Sequence, residues 1–248
     1  MTVKNGDFVL VDYVTTIKET GEIFDATKEE DAKKGKITKE NAVYEPMLIV
    51  VGEGWVLKKL DSSLIGIEID KKTVIEVPPQ EGFGLRDPAK VKVIPIDRFK
   101  KQKVQPYPGA QIEINGKMAA VRSVGAGRVQ VDFNPPLAGK TLIYDLVAKK
   151  IIEEKLEKIK AIIHRRIASV NIEKLKLDVT DKEATIELPK DIYYLDGIQF
   201  TKRGIASDLQ HFFSLEKIIF IETFEPTQTQ AEDSQKPSDD PKDTERAP

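Results

Sequence analysis

The chain contains no cysteine and only two histidines, His164 and His211, among its 248 residues. Without cysteine there is no disulfide framework, no thiol nucleophile and no thiolate metal site. The scarcity of histidine removes most imidazole-rich metal sites and leaves few designs for acid–base catalysis. His164 lies in a charged helical stretch beside Arg165 and Arg166, and His211 precedes Phe212 and Phe213, so both read as surface or packing residues. The G-x-S-x-G, P-loop and H-E-x-x-H patterns are missing. Gly125-Ala126-Gly127 has no helical pattern after it and does not read as a nucleotide loop. No uninterrupted apolar run is long enough to span a bilayer, and residues 1–7 lack the apolar stretch of a signal peptide. Neither sign of charge dominates: 39 Lys+Arg stand against 41 Asp+Glu, a net charge of -2. Together these gaps predict a soluble cytoplasmic protein with no membrane partner, no cofactor and no metal.

What remains is 40% hydrophobic, in a chain long enough for more than one domain. Residues 49–84, IVVGEGWVLKKLDSSLIGIEIDKKTVIEVPPQEGFG, are the stretch the rest is organised around. An apolar run over residues 47–51 predicts a strand, broken by Gly52-Glu53-Gly54. Leu57, Leu60 and Leu64 then share one face of a short helix that Gly66 ends. Residues 73–77 have the β-branched content of a strand, stopped by Pro78-Pro79 and followed by Gly82-Phe83-Gly84. Upstream, residues 8–17 alternate, with Val9, Val11 and Tyr13 on one face and Phe8, Leu10 and Val14 on the other. Residues 22–26 return from a turn at Thr20-Gly21. Residues 27–46 read as a long polar loop.

The order VGEGWVLKKLD…LIG…VPP…GFG, preceded by VDYV…GEIFD, resembles the FK506-binding (FKBP) family of peptidyl-prolyl isomerases. More specifically, it resembles the archaeal long-type members, which are SlyD-like and carry an insert-in-flap domain and an extra C-terminal domain. The resemblance covers about residues 1–150. It implies an α+β protein: an FKBP-type antiparallel sheet wrapped on a short helix, an inserted small all-β domain, and a C-terminal α+β domain. Carried over residue by residue, it implies a pocket lined by Tyr13, Phe24, Asp25, Met47, Val56, Leu57, Leu60, Phe83 and Tyr144. Val56 and Leu57 form its floor, and the backbone N–H of Leu57 would anchor the peptide. Asp25 is the acidic member facing the carbonyl before the proline. Leu60 stands where many members have Trp and SlyD-like members have Leu. Phe83 stands where a Tyr hydroxyl bonds a ligand carbonyl, and Phe has no such donor. Lys59 replaces a Gly of the pattern. Taken alone, Phe24 would read as core and Asp25 as a turn carboxylate.

The small family pattern does not close after Gly84. Residues 86–132 intervene, with strands expected over 110–114, 117–124 and 129–133 and a hairpin turn at Asn115-Gly116. By resemblance this insert binds unfolded polypeptide. Its basic excess reads as a solvated face rather than a nucleic-acid site. The expected domains are 1–85 with 133–150 (isomerase), 86–132 (insert), 151–225 (C-terminal α+β) and 226–248 (disordered acidic tail). In the C-terminal domain Ile152, Leu156, Ile159, Ile163 and Val170 predict one stripe of a long helix. Beyond it come a strand at 184–188, a helix near 201–213 and an apolar strand at 217–222. This mixture suits a homodimer through the C-terminal domain as well as a closed monomer.

The function implied by the resemblance is cis–trans isomerisation of X–Pro bonds in unfolded or partly folded polypeptides, with chaperone activity from the insert. FK506-like macrolides are the implied small-molecule ligands. The alternative is a non-catalytic FKBP-like chaperone or scaffold.

Overall fold

A computed structural model describes residues 1–40, 42–101 and 104–225. The acidic tail expected over 226–248 lies outside the described residues. Strand β1 (Phe8–Ile17) is the hub, and its alternation sorts two cores. Val9, Val11 and Tyr13 enter one, while Phe8 and Leu10 face the other. Strand β2 (Ile23–Ala26) pairs antiparallel with the second half of β1. The stretch 27–46 is not the continuous loop that its polarity suggests, because it holds helix α1 (Glu29–Gly35). Three acidic residues fill the first turn of α1 and Lys33 and Lys34 the last, the charge order that complements a helix dipole. Only Ala32 of α1 is buried, so there was no apolar stripe to read. Strand β3 (Met47–Val50) pairs with the first half of β1. Helix α2 (Lys58–Leu64) buries Leu60 and Leu64, and Gly66 follows it at φ +85°. Strand β4 (Lys72–Val77) precedes a single 3₁₀ turn at Pro79–Glu81.

The insert begins with β5 (Val91–Pro95). Helix α3 (Ile96–Lys101) follows, which corrects the all-β expectation. The helix puts Phe99, 2% exposed, over the small core, a buried aromatic that a four-stranded sheet alone would leave wet. Then come β6 (Gln111–Ile114), β7 (Lys117–Gly125) and β8 (Arg128–Asp132), in the antiparallel order β5-β8-β7-β6. Asn115 and Gly116 both have positive φ, 52° and 74°, as a two-residue hairpin turn of the primed type requires. Ala126 and Gly127, at 49° and 72°, make the second such turn. The glycine pair around Ala126 is therefore turn chemistry.

The two ends of the insert are joined by one buried carboxylate. Asp132, 3% exposed, accepts from Arg86 Nη2 at 2.7 Å and Arg122 Nη2 at 2.8 Å. It also accepts from the Asn134 N–H at 2.9 Å and the Asn134 amide at 2.7 Å. Burial pushes its carboxyl pKa up, but the Asn134 donors, Arg122 and Arg86 together outweigh that and hold it at about 2. A depressed carboxylate pKa stabilises the fold above its unfolded value near ~4 and ceases to do so as pH falls toward 2. Wild type should thus lose about 2 kcal/mol of stability between pH 5 and pH 2 from this group. Asp132→Asn should unfold more easily at pH 7 and show a flatter acid limb. Thermal unfolding across that pH range measures both, and equal slopes for the two proteins would remove Asp132 as the cause.

Strand β9 (Leu142–Ile152) returns to the first sheet and pairs with β1 on one side and β4 on the other. The sheet order is β2-β1-β9-β4, with β3 also on β1. Helix α4 (Lys155–Arg166) is shorter than the predicted stripe. Ile152 ends β9, Val170 lies past the helix, and Leu156 is exposed. The buried side of α4 is Ile159, Ile162 and Ile163. Strand β10 (Lys176–Val179), missed in the sequence, precedes β11 (Glu183–Glu187). Helix α5 (Ile198–Phe213) leads to β12 (Lys217–Ile221), which pairs parallel with β11. This C-terminal segment does not stand apart. Phe8, Leu48, Val50 and Ile152 of the first sheet share one core with α4 and α5. Phe212 meets Phe8 edge-on at 5.3 Å and Trp55 at 5.7 Å. Tyr194, Phe200 and Phe224 lie exposed on the outer side.

Candidate prolyl-binding site

The floor of the site is set by the turn between β3 and α2. Gly52 and Gly54 adopt φ of +92° and +68°, and a Cβ on Gly52 would fall 2.0 Å from Asn5 Oδ1. Their N–H groups donate to the two carboxylate oxygens of buried Asp61, at 2.8 and 3.0 Å. Asp61 was not singled out in the sequence, since a lone Asp in a short amphipathic helix gives no signal. It fixes the chain direction so that Val56 and Leu57 reach the start of α2. Leu57 occupies the cap position of that helix. Its N–H sits where a helix provides no internal acceptor, and among the described residues it donates to no other group.

Six of the nine expected residues fall in one apolar cluster: Tyr13, Met47, Val56, Leu57, Leu60 and Tyr144. Leu60 is fully packed beneath the others, at 2% exposure. The Tyr13 and Tyr144 rings lie 5.9 Å apart at 58°. Tyr13 Oη donates to Asp25 Oδ2 at 2.8 Å and lies 4.0 Å from Met47 Sδ. The other carboxylate oxygen of Asp25 accepts the Ala26 N–H at 3.0 Å. Burial, then the charge of Asp25 and its hydrogen bond, push the Tyr13 hydroxyl well above the usual phenol range. Burial likewise raises Tyr144. Both phenols stay neutral at physiological pH.

Phe24, Asp25 and Phe83 form the rim rather than the floor. The rings of Phe24 and Phe83 meet edge to face at 6.3 Å, and each is 42% exposed. They connect to the floor through the bond from Tyr13 to Asp25. Lys59 lies within α2 and faces Glu81 at 3.8 Å.

Sequence reasoning missed the residues beside this site. Trp55, immediately before Val56, carries the Arg165 guanidinium 4.5 Å above its ring. His164 takes the packing alternative of its two expected readings, and its Nε2 pairs with Glu45 at 2.5 Å, just before Met47. His211 packs on Phe212 at 4.8 Å and reaches Glu53 at 3.0 Å. A groove of about 680 Å³ runs from Tyr13, Asp25 and Met47 to α4. Nothing in residues 155–166 announced this, because helix periodicity shows which side is buried but not against what.

The site presents an apolar floor beside a backbone donor, a carboxylate and two neutral phenols. It has no nucleophile. Among the described residues no cluster of His, Cys, Asp or Glu could hold a metal ion, and no helix is long and apolar enough to cross a membrane.

The comparisons give the class a name. Residues 1–99 match the FKBP-type peptidyl-prolyl cis-trans isomerase family, residues 92–137 the FKBP26 IF domain, and residues 155–225 the FKBP26 C-terminal domain. A short-type peptidyl-prolyl cis-trans isomerase of Methanocaldococcus jannaschii is 33% identical over 149 residues, 60% of this chain and 94% of that protein. A probable FKBP-type 16 kDa isomerase of Pseudomonas fluorescens is 30% identical over 107 residues, 41% of this chain and 69% of that one. The isomerase SlyD of Helicobacter pylori is 26% identical over 107 residues, 42% and 58% of the two chains. The chain belongs to the FKBP-type peptidyl-prolyl cis-trans isomerase family, with the long architecture that adds an insert and a C-terminal domain.

Proposed function

We propose that the protein isomerises X–Pro bonds in unfolded or partly folded polypeptides, and that its insert captures those polypeptides beside the prolyl site. The observation that carries the reading is the joint packing of Tyr13, Met47, Val56, Leu57, Leu60 and Tyr144 beneath the Phe24–Phe83 rim.

The barrier to X–Pro isomerisation is about 20 kcal/mol and comes from the amide resonance lost in the twisted state. No group need be transferred to lower it. The twisted amide has less charge separation than the planar one, so a dehydrated apolar cleft favours it. About 4 kcal/mol of such differential binding gives roughly a 10³-fold acceleration. In this chain Tyr13 and Tyr144, backed by the buried Leu60, would seat the prolyl ring, and Leu57 N–H would take a peptide carbonyl. Asp25, with one oxygen fixed by Tyr13, would face the carbonyl before the proline.

The insert supports the capture role through Val93, Tyr107 and Met118, which are apolar and exposed around a core of their own. Turnover of a proline tetrapeptide, followed without a coupling protease, tests the isomerase reading. The expected result is a clear acceleration over the spontaneous rate. A rate equal to the buffer control would leave only the non-catalytic chaperone reading.

A further inference from the structure

The isomerase residues close only part of the cleft they open. From Tyr13, Asp25 and Met47 the groove continues across the edge of the sheet to α4, where Ala161, His164 and Arg165 form the opposite wall. The C-terminal domain therefore supplies one side of a groove whose other side includes Tyr13, Asp25 and Met47, three of the nine residues of the prolyl site. Its polar groups are mostly satisfied within the chain. Lys150 pairs with Glu157 at 2.9 Å, His164 Nε2 with Glu45 at 2.5 Å, and Asp25 accepts from Tyr13, while His164 Nδ1 is buried without a partner.

Two cations are not satisfied in this way. Among the described residues neither Lys160 nor Arg165 forms an ion pair, whereas the adjacent Arg166 is held by Asp208 at 2.8 and 2.9 Å. Arg165 is nevertheless fixed in place. Its guanidinium stacks on Trp55, the residue before the pocket floor, in a cation–π contact. Burial, then the charge of Arg166, lowers its pKa, and the nearby charge of Asp208 offsets only part of this, consistent with a cation partly stripped of water. A pre-placed guanidinium is suited to a carboxylate because its fork geometry needs no further ordering.

We propose that this groove is a subsite for the polypeptide flanking the isomerised proline, and that Arg165, aided by Lys160, selects an acidic side chain in that flank. The inference rests on the isomerase reading above and gives that site a substrate preference. Continuity with Tyr13, Asp25 and Met47 makes the substrate itself the occupant. The groove as a whole is balanced, with Asp25, Glu45 and Glu157 against Lys150, Lys160 and Arg165, so the selection is local: Lys160 and Arg165, the two lining cations without an ion pair among the described residues, favour an acidic side chain at the α4 wall. The groove meets the prolyl site at Tyr13, Asp25 and Met47, so the side chain read belongs to a residue flanking the proline.

The test uses the full chain and a peptide series around one Ala-Pro bond, with Glu, Gln or Lys at each of the three positions on either side. The readout is the ratio of kcat/KM values within each protein, which a loss of folded enzyme would not change. Wild type is expected to prefer Glu over Gln about fivefold at one position or more, mainly through KM, and to lose much of that preference at high salt. Arg165→Gln should bring the ratio to near one, and Arg165→Glu should favour Lys. Lys160→Gln, which leaves the Trp55 stack untouched, should lower the ratio part of the way. No discrimination by wild type at any position would overturn the inference while leaving the isomerase reading intact. So would a Glu preference that persists in both Arg165→Gln and Lys160→Gln. Absence of turnover with every peptide would instead sink the isomerase reading, and this inference with it.

Discussion

Replacing residues 86–132 by a short Gly-Ser bridge is expected to leave tetrapeptide turnover within about twofold while slowing catalysis of protein refolding about 100-fold, the scale on which tethering raises a local concentration. The first half follows from where the insert is attached. None of the nine pocket residues lies in it, and its core shares no member with the other two. The exit and return points are already held together, because Gly139 N–H donates to Gly84 O at 2.8 Å. A bridge has little distance to span. The second half follows from capture. A refolding protein shows its prolines briefly and at low concentration, so a second contact that retains the chain makes the encounter with the pocket intramolecular. A tetrapeptide is too short to touch both surfaces and gains nothing. Exposed Val93, Tyr107 and Met118 would make that second contact. Equal losses on the two substrates would mean that the deletion had damaged the pocket, and equal retention would remove the capture role.

How much of this could be read from the sequence depended on how locally each feature is encoded. The alternation in 8–17 placed Val9 and Tyr13 correctly against Phe8 and Leu10, because strand period needs no partner to be visible. Asn115-Gly116 fixed a hairpin for the same reason: positive φ at two successive residues selects those types. Helix α1 was invisible because it buries one alanine, leaving only its charge order as a clue. The stripe from Ile152 to Val170 mixed a strand end, a helix and a turn, since apolar residues at spacings of three and four also arise by accident across a boundary. Pocket residues were legible only where a motif carried them. Trp55, His164 and Arg165 act through partners remote in sequence, Asp61 acts through backbone N–H groups that no residue type marks, and no pattern of spacing encodes a docking between Phe8 and Phe212.

At the rim of the pocket, Phe24→Ala is expected to lower kcat/KM on a tetrapeptide about 30-fold. An apolar contact with the prolyl ring is worth about 2 kcal/mol when an aromatic is lost, and that energy converts to such a factor in rate. Folding should hardly respond. Phe24 is 42% exposed and packs edge to face on Phe83, itself 42% exposed, so the cost to stability should stay below about 1 kcal/mol. A rate loss that tracked a fall in Tm would therefore point to damage elsewhere. Asp25 separates two roles that the geometry leaves joined. Its carboxylate orients Tyr13 by accepting the phenol proton at 2.8 Å, and it also places a negative charge at the mouth of the cleft. Asp25→Asn keeps an acceptor for Tyr13 and removes the charge; Asp25→Ala removes both and leaves the half-buried Tyr13 hydroxyl to water, at a cost of about 1 kcal/mol. If Asn retains most of the rate and Ala loses tenfold or more, the carboxylate works by holding Tyr13. If both lose equally, its charge acts on the substrate carbonyl. If Phe24→Ala and Asp25→Ala both turn over at the wild-type rate, the prolyl ring binds somewhere other than between Phe24, Leu60 and Tyr144.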